Sequence, residues 1–158
     1  MTEWLTDDEQ RTWRAFVDMN RYVTGAIENQ LMRDSDMPVA YYGILVALSE
    51  VPERRLRMSV LAQSVDGSQS RLSHAVTRLA ERGWVRRERC PSDGRGWYAV
   101  LTDAGMAALE AAAPGHVDCV RRSVFDVLTD TQQQELLGVA RVLVAHLRTG
   151  ESEAPAGC

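Results

Sequence analysis

Apolar residues recur at three- and four-residue steps along most of the chain, which is the spacing of α-helices that bury one face. The first such stripe runs from Trp13 to Leu31, and Thr6 and Glu9 before it have the spacing of a capping box. Together they predict one long helix over residues 7–33. A single helix of this length cannot bury its own apolar stripe, so the stripe is a first indication of a dimer.

Shorter elements follow, separated by proline and glycine. Pro38 suits the start of a second helix, which ends before Pro52. A third helix is predicted over residues 58–65. After a turn at residues 66–67, the pattern predicts a fourth helix over about residues 68–82.

The periodicity then changes from 3.6 to 2, which predicts a β-hairpin over about residues 84–101. A turn-rich loop separates its two strands. Beyond the hairpin, a fifth helix is predicted, with a kink at Pro114 and Gly115 inside it. Thr129 and Gln132 form a second capping box that begins a sixth helix.

Two short helices joined by a tight turn and followed by a hairpin form the winged helix-turn-helix plan. The predicted fold class is therefore mainly α with a small β-hairpin wing. We expect an N-terminal dimerisation helix (1–34), a winged helix-turn-helix domain (38–101), C-terminal dimerisation helices (102–148) and a disordered tail (149–158).

Composition narrows the class of protein. The 158 residues are 45% apolar and 25% charged, as in ordinary soluble domains. The sequence contains no apolar run long enough to cross a membrane, its N-terminus lacks the apolar region of a signal peptide, and its three cysteines do not form a disulfide framework. We therefore expect a cytoplasmic protein without a membrane partner.

The distribution of charge is more informative than the net charge of −4. Residues 68–98 contain seven arginines against three acidic residues and carry +4, so the remainder of the chain carries −8. An acidic protein with one basic region is expected to meet a polyanion at a defined face. Double-stranded DNA is the polyanion that a winged helix-turn-helix would bind.

The fourth helix carries apolar residues on one side and polar residues on the other. Its polar face provides the donors that base edges in the major groove accept. Arg89 on the hairpin could contact a phosphate, and Arg95 between two glycines could enter the minor groove. The DNA-binding candidates are Gln69, Ser70, Arg71, His74, Thr77, Arg78, Arg89 and Arg95.

These residues, with others around them, resemble the MarR family of transcriptional regulators. The resemblance is carried by five segments, in this order: Ser59–Ala62, Ser68–Leu79, Glu81–Val85, Asp93-Gly94-Arg95 and the L-T-x-x-G sequence Leu101–Gly105. The order and spacing of the D-x-R and L-T-x-x-G sequences make the match specific. The chain departs from the family at Gly67, where relatives usually carry a larger apolar residue.

The resemblance implies a homodimer in which helices 1, 5 and 6 intertwine, with one winged domain on each arm. Two-fold symmetry then predicts a pseudo-palindromic DNA operator whose half-sites are one helical turn apart. The resemblance also implies a repressor that releases DNA when a small, often aromatic, effector binds. Trp13 and Tyr41 are the candidate effector contacts.

Two alternative functions stay open. Cys90 lies among the wing arginines, where a thiol could sense oxidants, although an inert surface thiol is the simpler interpretation. A helical adaptor that binds no DNA could use the long helices, but it would leave the arginine arrangement unexplained. No metal-ligand spacing, cofactor loop or catalytic motif is found, so neither a metal nor a cofactor is expected, and the protein is not expected to be an enzyme.

Overall fold

The computed structural model describes residues 2–65, 69–90 and 96–152, with side chains up to residue 148. Within these ranges the chain forms helices and one small sheet. The helices are α1 Asp7–Ser35, α2 Val39–Ser49, α3 Met58–Ser64, α4 Gln69–Glu81, α5 Asp103–Ser123 and α6 Asp130–Ser152. The strands are β1 Arg55–Arg57, β2 Val85–Arg89 and β3 Trp97–Leu101, and short 3-10 turns span Pro52–Arg54 and Phe125–Val127.

The chain divides into two compact units, residues 1–119 and 120–158. The core of the first unit lies where α2, α4 and the sheet meet the end of α1. Its fully buried side chains are large and aliphatic. Those on α2 and α4 belong to the predicted apolar stripes, which therefore face inward. They include Leu31, Ile44, Leu45, Leu48, Leu61, Val76, Leu79 and Val85.

The sheet has three antiparallel strands in the order β1-β3-β2, so it is larger than the predicted hairpin. Leu56 of β1 pairs with Ala99 of β3, and Arg87 of β2 pairs with Ala99 from the other side. A three-residue strand is too short to show a period of two. For this reason the sequence pattern missed β1, which pairs with the edge of β3 that β2 leaves free.

Both predicted capping boxes are present. Glu9 N–H donates to Thr6 Oγ1 at 3.3 Å and the Thr6 N–H donates to the Glu9 carboxylate at 2.7 Å. At the start of α6 the same reciprocal bonds join Thr129 and Gln132, at 3.0 and 3.3 Å. These local sequence signals determine where the two long helices begin.

Helix ends differ from the predictions. α5 runs without interruption through Pro114 and ends at Ser123. α6 continues to Ser152, past residue 149, where the sequence predicts a disordered tail. Gly67 and Ser68, at the predicted turn and N-cap, and residues 153–158 of the tail lie outside the described residues.

In the second unit no side chain from residue 120 to 148 is buried. The apolar residues Leu137, Leu143 and Leu147 of α6 are exposed within the single chain, and Leu136 is only partly buried. The N-terminal half of α1 is similar, with Trp13, Phe16 and Val17 exposed. These stripes are unpartnered in a single protomer.

Candidate nucleic-acid interface

One exposed face of α4 carries all the candidate base-reading residues. On the opposite face Leu72, Val76 and Leu79 are buried in the core. Because these three follow the helical period, the remaining positions turn outward together. The exposed residues on α4 are Gln69, Ser70, Arg71, His74, Thr77, Arg78 and, at its end, Glu81.

The exposed face of α4 carries an ion pair at its C-terminal end. Near its C-terminal end Arg78 donates a hydrogen bond to Glu81 at 2.8 Å, and this bond and the nearby carboxylate charge raise the pKa of Arg78. The Thr77 hydroxyl donates to the Ser73 carbonyl at 2.9 Å. The exposed face therefore includes a carboxylate, that of Glu81, at its C-terminal end. Arg71 and His74 lie on the part nearer the helix N-terminus.

The wing holds two arginines against one indole ring. Arg89 and Trp97 are directly paired across β2 and β3. The guanidinium groups of Arg87 and Arg89 each lie 5.2 Å from the centre of the Trp97 ring, within cation–π range. Sequence reasoning missed Trp97, although the period-two alternation already places Arg87 and Arg89 on one face of β2. Arg95 lies outside the described residues.

A cleft of about 290 Å³ separates the N-terminal ends of α3 and α4 from the wing. Arg57 and Arg87 supply positive charge to its wall, and Ser59, Gln69 and Ser73 supply hydrogen-bonding groups. No carboxylate lines it among the described residues. This lining suits an anionic group, such as a phosphate of the DNA backbone.

Cys90 is buried, so its predicted position on the surface is wrong. Its side chain is 3% exposed. Arg57 Nη2 donates to the Cys90 sulfur at 3.2 Å, and the sulfur lies 3.8 Å from the Tyr98 hydroxyl. Strand β1, which the sequence pattern missed, brings Arg57 over this position and covers the thiol.

The structure separates the two predicted effector contacts within one protomer. Trp13 is exposed and stacks on Phe16, with ring centroids 5.9 Å apart. Tyr41 packs against the core, and the Arg82 guanidinium lies 5.8 Å from its ring centre. Arg82 also donates a hydrogen bond to Asp36, so Tyr41 lies near the end of α1. The helical rise places Trp13 roughly 34 Å from Asp36 along α1.

A buried polar cluster that the sequence did not reveal lies between α1, α2 and α5. The rings of Tyr42 and His116 lie 4.4 Å apart, and Gln30 is 3% exposed. Gln30 Oε1 and His116 Nδ1 are buried with no hydrogen-bond partner among the described residues. Burial lowers the pKa of His116 and raises the pKa of Tyr42.

The described residues contain no cluster of three metal-ligating side chains. Within the same part of the chain, no helix is both long and apolar enough to span a membrane.

A mainly helical fold with a small antiparallel sheet and an outward-facing polar helix defines a winged helix-turn-helix transcriptional regulator, as the sequence predicts. A sequence model of the MarR family matches residues 35–96. The chain is also similar to solved structures along its whole length, and on this basis it belongs to the MarR family of transcriptional regulators.

Two of these structures are MarR family regulators from Streptomyces coelicolor. Sco3205, solved in complex with DNA, is 49% identical, with 99% of this chain and 97% of that chain covered and a TM-score of 0.93. AbsC is 42% identical, with 94% and 99% covered and a TM-score of 0.88. An uncharacterized HTH-type transcriptional regulator from Bacillus cereus is 27% identical over 111 residues, which span 70% of this chain and 71% of the relative.

Proposed function

We propose that this protein is a sequence-specific DNA-binding repressor that acts as a homodimer in the cytoplasm and is released from its operator by a small aromatic effector. The observation that carries the proposal is the exposed polar face of α4. Arg71 and His74 stand on this face near the helix N-terminus, where a recognition helix reaches deepest into the major groove.

The wing and the cleft support contacts with the DNA backbone. Arg87 and Arg89 are held against Trp97 beside the cleft, and Arg57 lines its other side. Arginines of this kind fix the orientation of a protein on the duplex, while base contacts select the sequence. The DNA complex of the 49% identical Streptomyces relative supports the same mode of binding here.

The unpartnered apolar stripes support a homodimer. Trp13, Phe16 and Val17 on α1 and Val142, Leu143 and Leu147 on α6 would remain in water in a monomer. Contiguous exposed apolar residues of this kind mark protein–protein interfaces. A two-fold dimer would present two copies of α4 to a pseudo-palindromic operator.

Repression and effector release are proposed from the resemblance to the family. Tyr41 is a suitable effector contact because its ring is half-buried at the junction of α2 with the DNA-binding elements. Trp13 of the same protomer is too distant along α1 to share a small ligand with Tyr41. A single effector would contact both residue types only if the tryptophan came from the second protomer.

The experiment that tests the function is footprinting of the purified protein on genomic DNA fragments. We expect protected sites that share a pseudo-palindrome, an affinity that falls steeply with salt, and a transcript that rises when the protein is deleted. Binding that is equal on all sequences, or absent at every salt concentration, would contradict the proposal. The second result is what a helical adaptor would give.

The redox alternative is not favoured by the structure. Cys90 is covered by Arg57 and Tyr98, and an oxidant must reach a thiolate to react with it.

A further inference from the structure

Arg82 connects the recognition helix to the end of the long N-terminal helix. It follows the last residue of α4, and its backbone N–H still donates to the Arg78 carbonyl at 3.2 Å. Its guanidinium donates from Nη1 to the Asp36 carbonyl oxygen at 2.7 Å and from Nη2 to the Asp36 carboxylate at 3.0 Å. A rigid planar fork that holds two acceptors of one residue constrains orientation as well as distance.

Two aromatic rings restrict the same guanidinium. It lies 5.0 Å from the ring centre of Trp84, where the wing begins, and 5.8 Å from that of Tyr41 on α2. The side chain is only 34% exposed, although the Asp36 side chain is 77% exposed. Arg82 therefore touches α1's end, α2 and the base of the wing with one charged group.

Asp36 is held in an unusual backbone conformation at this contact. It is the C-cap of α1, with φ 47° and ψ 40°, and its N–H donates to the carbonyls of Leu31 and Met32. A non-glycine residue in the left-handed region is sparsely populated and persists where its surroundings stabilise it. The two bonds from Arg82 to Asp36 are such a stabilisation.

We propose that Arg82 is a positioning residue that fixes the direction of α4 relative to α1, and thereby sets the separation of DNA half-sites that a dimer accepts. The inference rests on the proposed function. α1 carries the unpartnered apolar stripe that would join two protomers, and α4 carries the base-reading face. A dimer can distinguish half-site spacings only if the link between these two helices is stiff.

A surface ion pair alone would not carry this role, because such pairs contribute little to stability. The Arg82 contact differs in joining helices that are far apart in sequence through a backbone carbonyl as well as a carboxylate. Its loss would change the relative orientation of α1 and α4 more than it changes the folding of either helix.

The test compares wild type with Arg82→Gln, Arg82→Lys and Asp36→Gly on three DNAs: the operator found by footprinting, the same operator with one base pair inserted at its centre, and a single half-site. Arg33→Gln is the matched control, because Arg33 pairs with its neighbour Asp34 at 2.8 Å on the same segment and, within the described part of the chain, has no ion pair with a second element. Glycine tolerates the left-handed conformation and keeps the carbonyl acceptor, so Asp36→Gly removes only the carboxylate contact.

Wild type and Arg33→Gln should strongly prefer the unmodified operator over the lengthened one. For Arg82→Gln we expect this preference to fall by about fivefold or more, with half-site binding within about twofold of wild type. Asp36→Gly and Arg82→Lys should fall between, because each keeps part of the contact. A variant that merely misfolds would lose half-site binding as well.

An Arg82→Gln protein that keeps the wild-type spacing preference, or that loses half-site and operator binding equally, would overturn the proposal. If wild type itself binds no DNA, the proposed function fails and this inference fails with it. If wild type binds with a clear spacing preference and only the Arg82 result is negative, the proposed function stands alone.

Discussion

The backbone carbonyl of Trp84 lies directly against Gly105, so closely that a Cβ on Gly105 would overlap the carbonyl oxygen. Thr102 supports this contact: its N–H donates to the Trp84 carbonyl at 3.0 Å, and its hydroxyl donates to the Gly83 carbonyl at 2.7 Å. The L-T-x-x-G sequence is thus the point at which α5 is fixed to the base of the wing.

Gly105→Ala should destabilise the first unit by at least about 2 kcal/mol, because the added methyl group meets backbone that cannot move aside. The measurement is the free energy of unfolding in urea. Gly43→Ala is the control: a Cβ there meets no atom within 4 Å, and alanine in a helix should be neutral or stabilising by about 0.5–1 kcal/mol. Equal effects of both substitutions would show that the Trp84 contact is unimportant.

Arg71→Ala should weaken binding to the selected operator by about 1–3 kcal/mol and binding to random DNA far less, because a base contact is lost. Competition binding with both DNAs at one salt concentration measures the difference. Arg14→Ala, which removes an exposed arginine from α1, is the matched change of charge. Equal losses on the two DNAs would make Arg71 a phosphate contact.

Trp97→Leu should weaken binding uniformly across sequences, because Arg87 and Arg89 lose the ring that orients them. Arg89→Ala should in addition reduce the slope of log affinity against log salt by about one if the arginine neutralises one phosphate. Salt titrations of both variants measure this. Trp4→Leu, at an exposed position before α1, serves as control, and an unchanged slope for Arg89→Ala would remove that residue from the interface.

Val142→Glu should shift the protein from dimer to monomer, because it places a charge in the exposed apolar stripe of α6. Light scattering across a range of protein concentrations measures the mass. Gln134→Glu adds the same charge at another exposed position on α6 and should leave the dimer intact. A Val142→Glu protein that remains dimeric would exclude this part of α6 from the interface.

Stability should fall as the pH drops below about 6.5, the ordinary pKa of histidine, because burial lowers the pKa of His116. Below this pH His116 takes up a proton in the unfolded chain more readily than in the folded chain. Above this pH His116 is neutral in both states and the effect is absent. Urea unfolding at several pH values between 5 and 8 measures it for wild type and His116→Gln. The variant should lose less stability on acidification, and His74→Gln, at an exposed position, should behave like wild type.

Local signals in the sequence were sufficient for much of the fold. The capping boxes at Thr6 and Thr129 located the starts of α1 and α6, because the groups that cap a helix lie within four residues of each other. The period of 3.6 on α4 separated its buried residues from its exposed candidates, because burial of one face forces the other outward. The resemblance to the MarR family rested on the same local motifs.

The sequence could not reveal contacts between residues far apart in the chain. Strand β1 was missed because three residues carry no period, and with it the burial of Cys90 beneath Arg57.

What the sequence determined by itself is the class of protein: helices in a set order, a basic region on an acidic chain, and a polar helix face suited to base edges. These follow from periodicity, capping and charge, which act between near neighbours. Only the tertiary structure decided which arginines have aromatic partners, which thiol is buried, and how Arg82 joins α4 to Asp36 at the end of α1. Those relationships depend on the packing of the whole first unit. Arg57 and Cys90 are 33 residues apart in the sequence and Arg82 and Asp36 are 46 apart, so their contacts are set by where the backbone places them and not by their sequence neighbours.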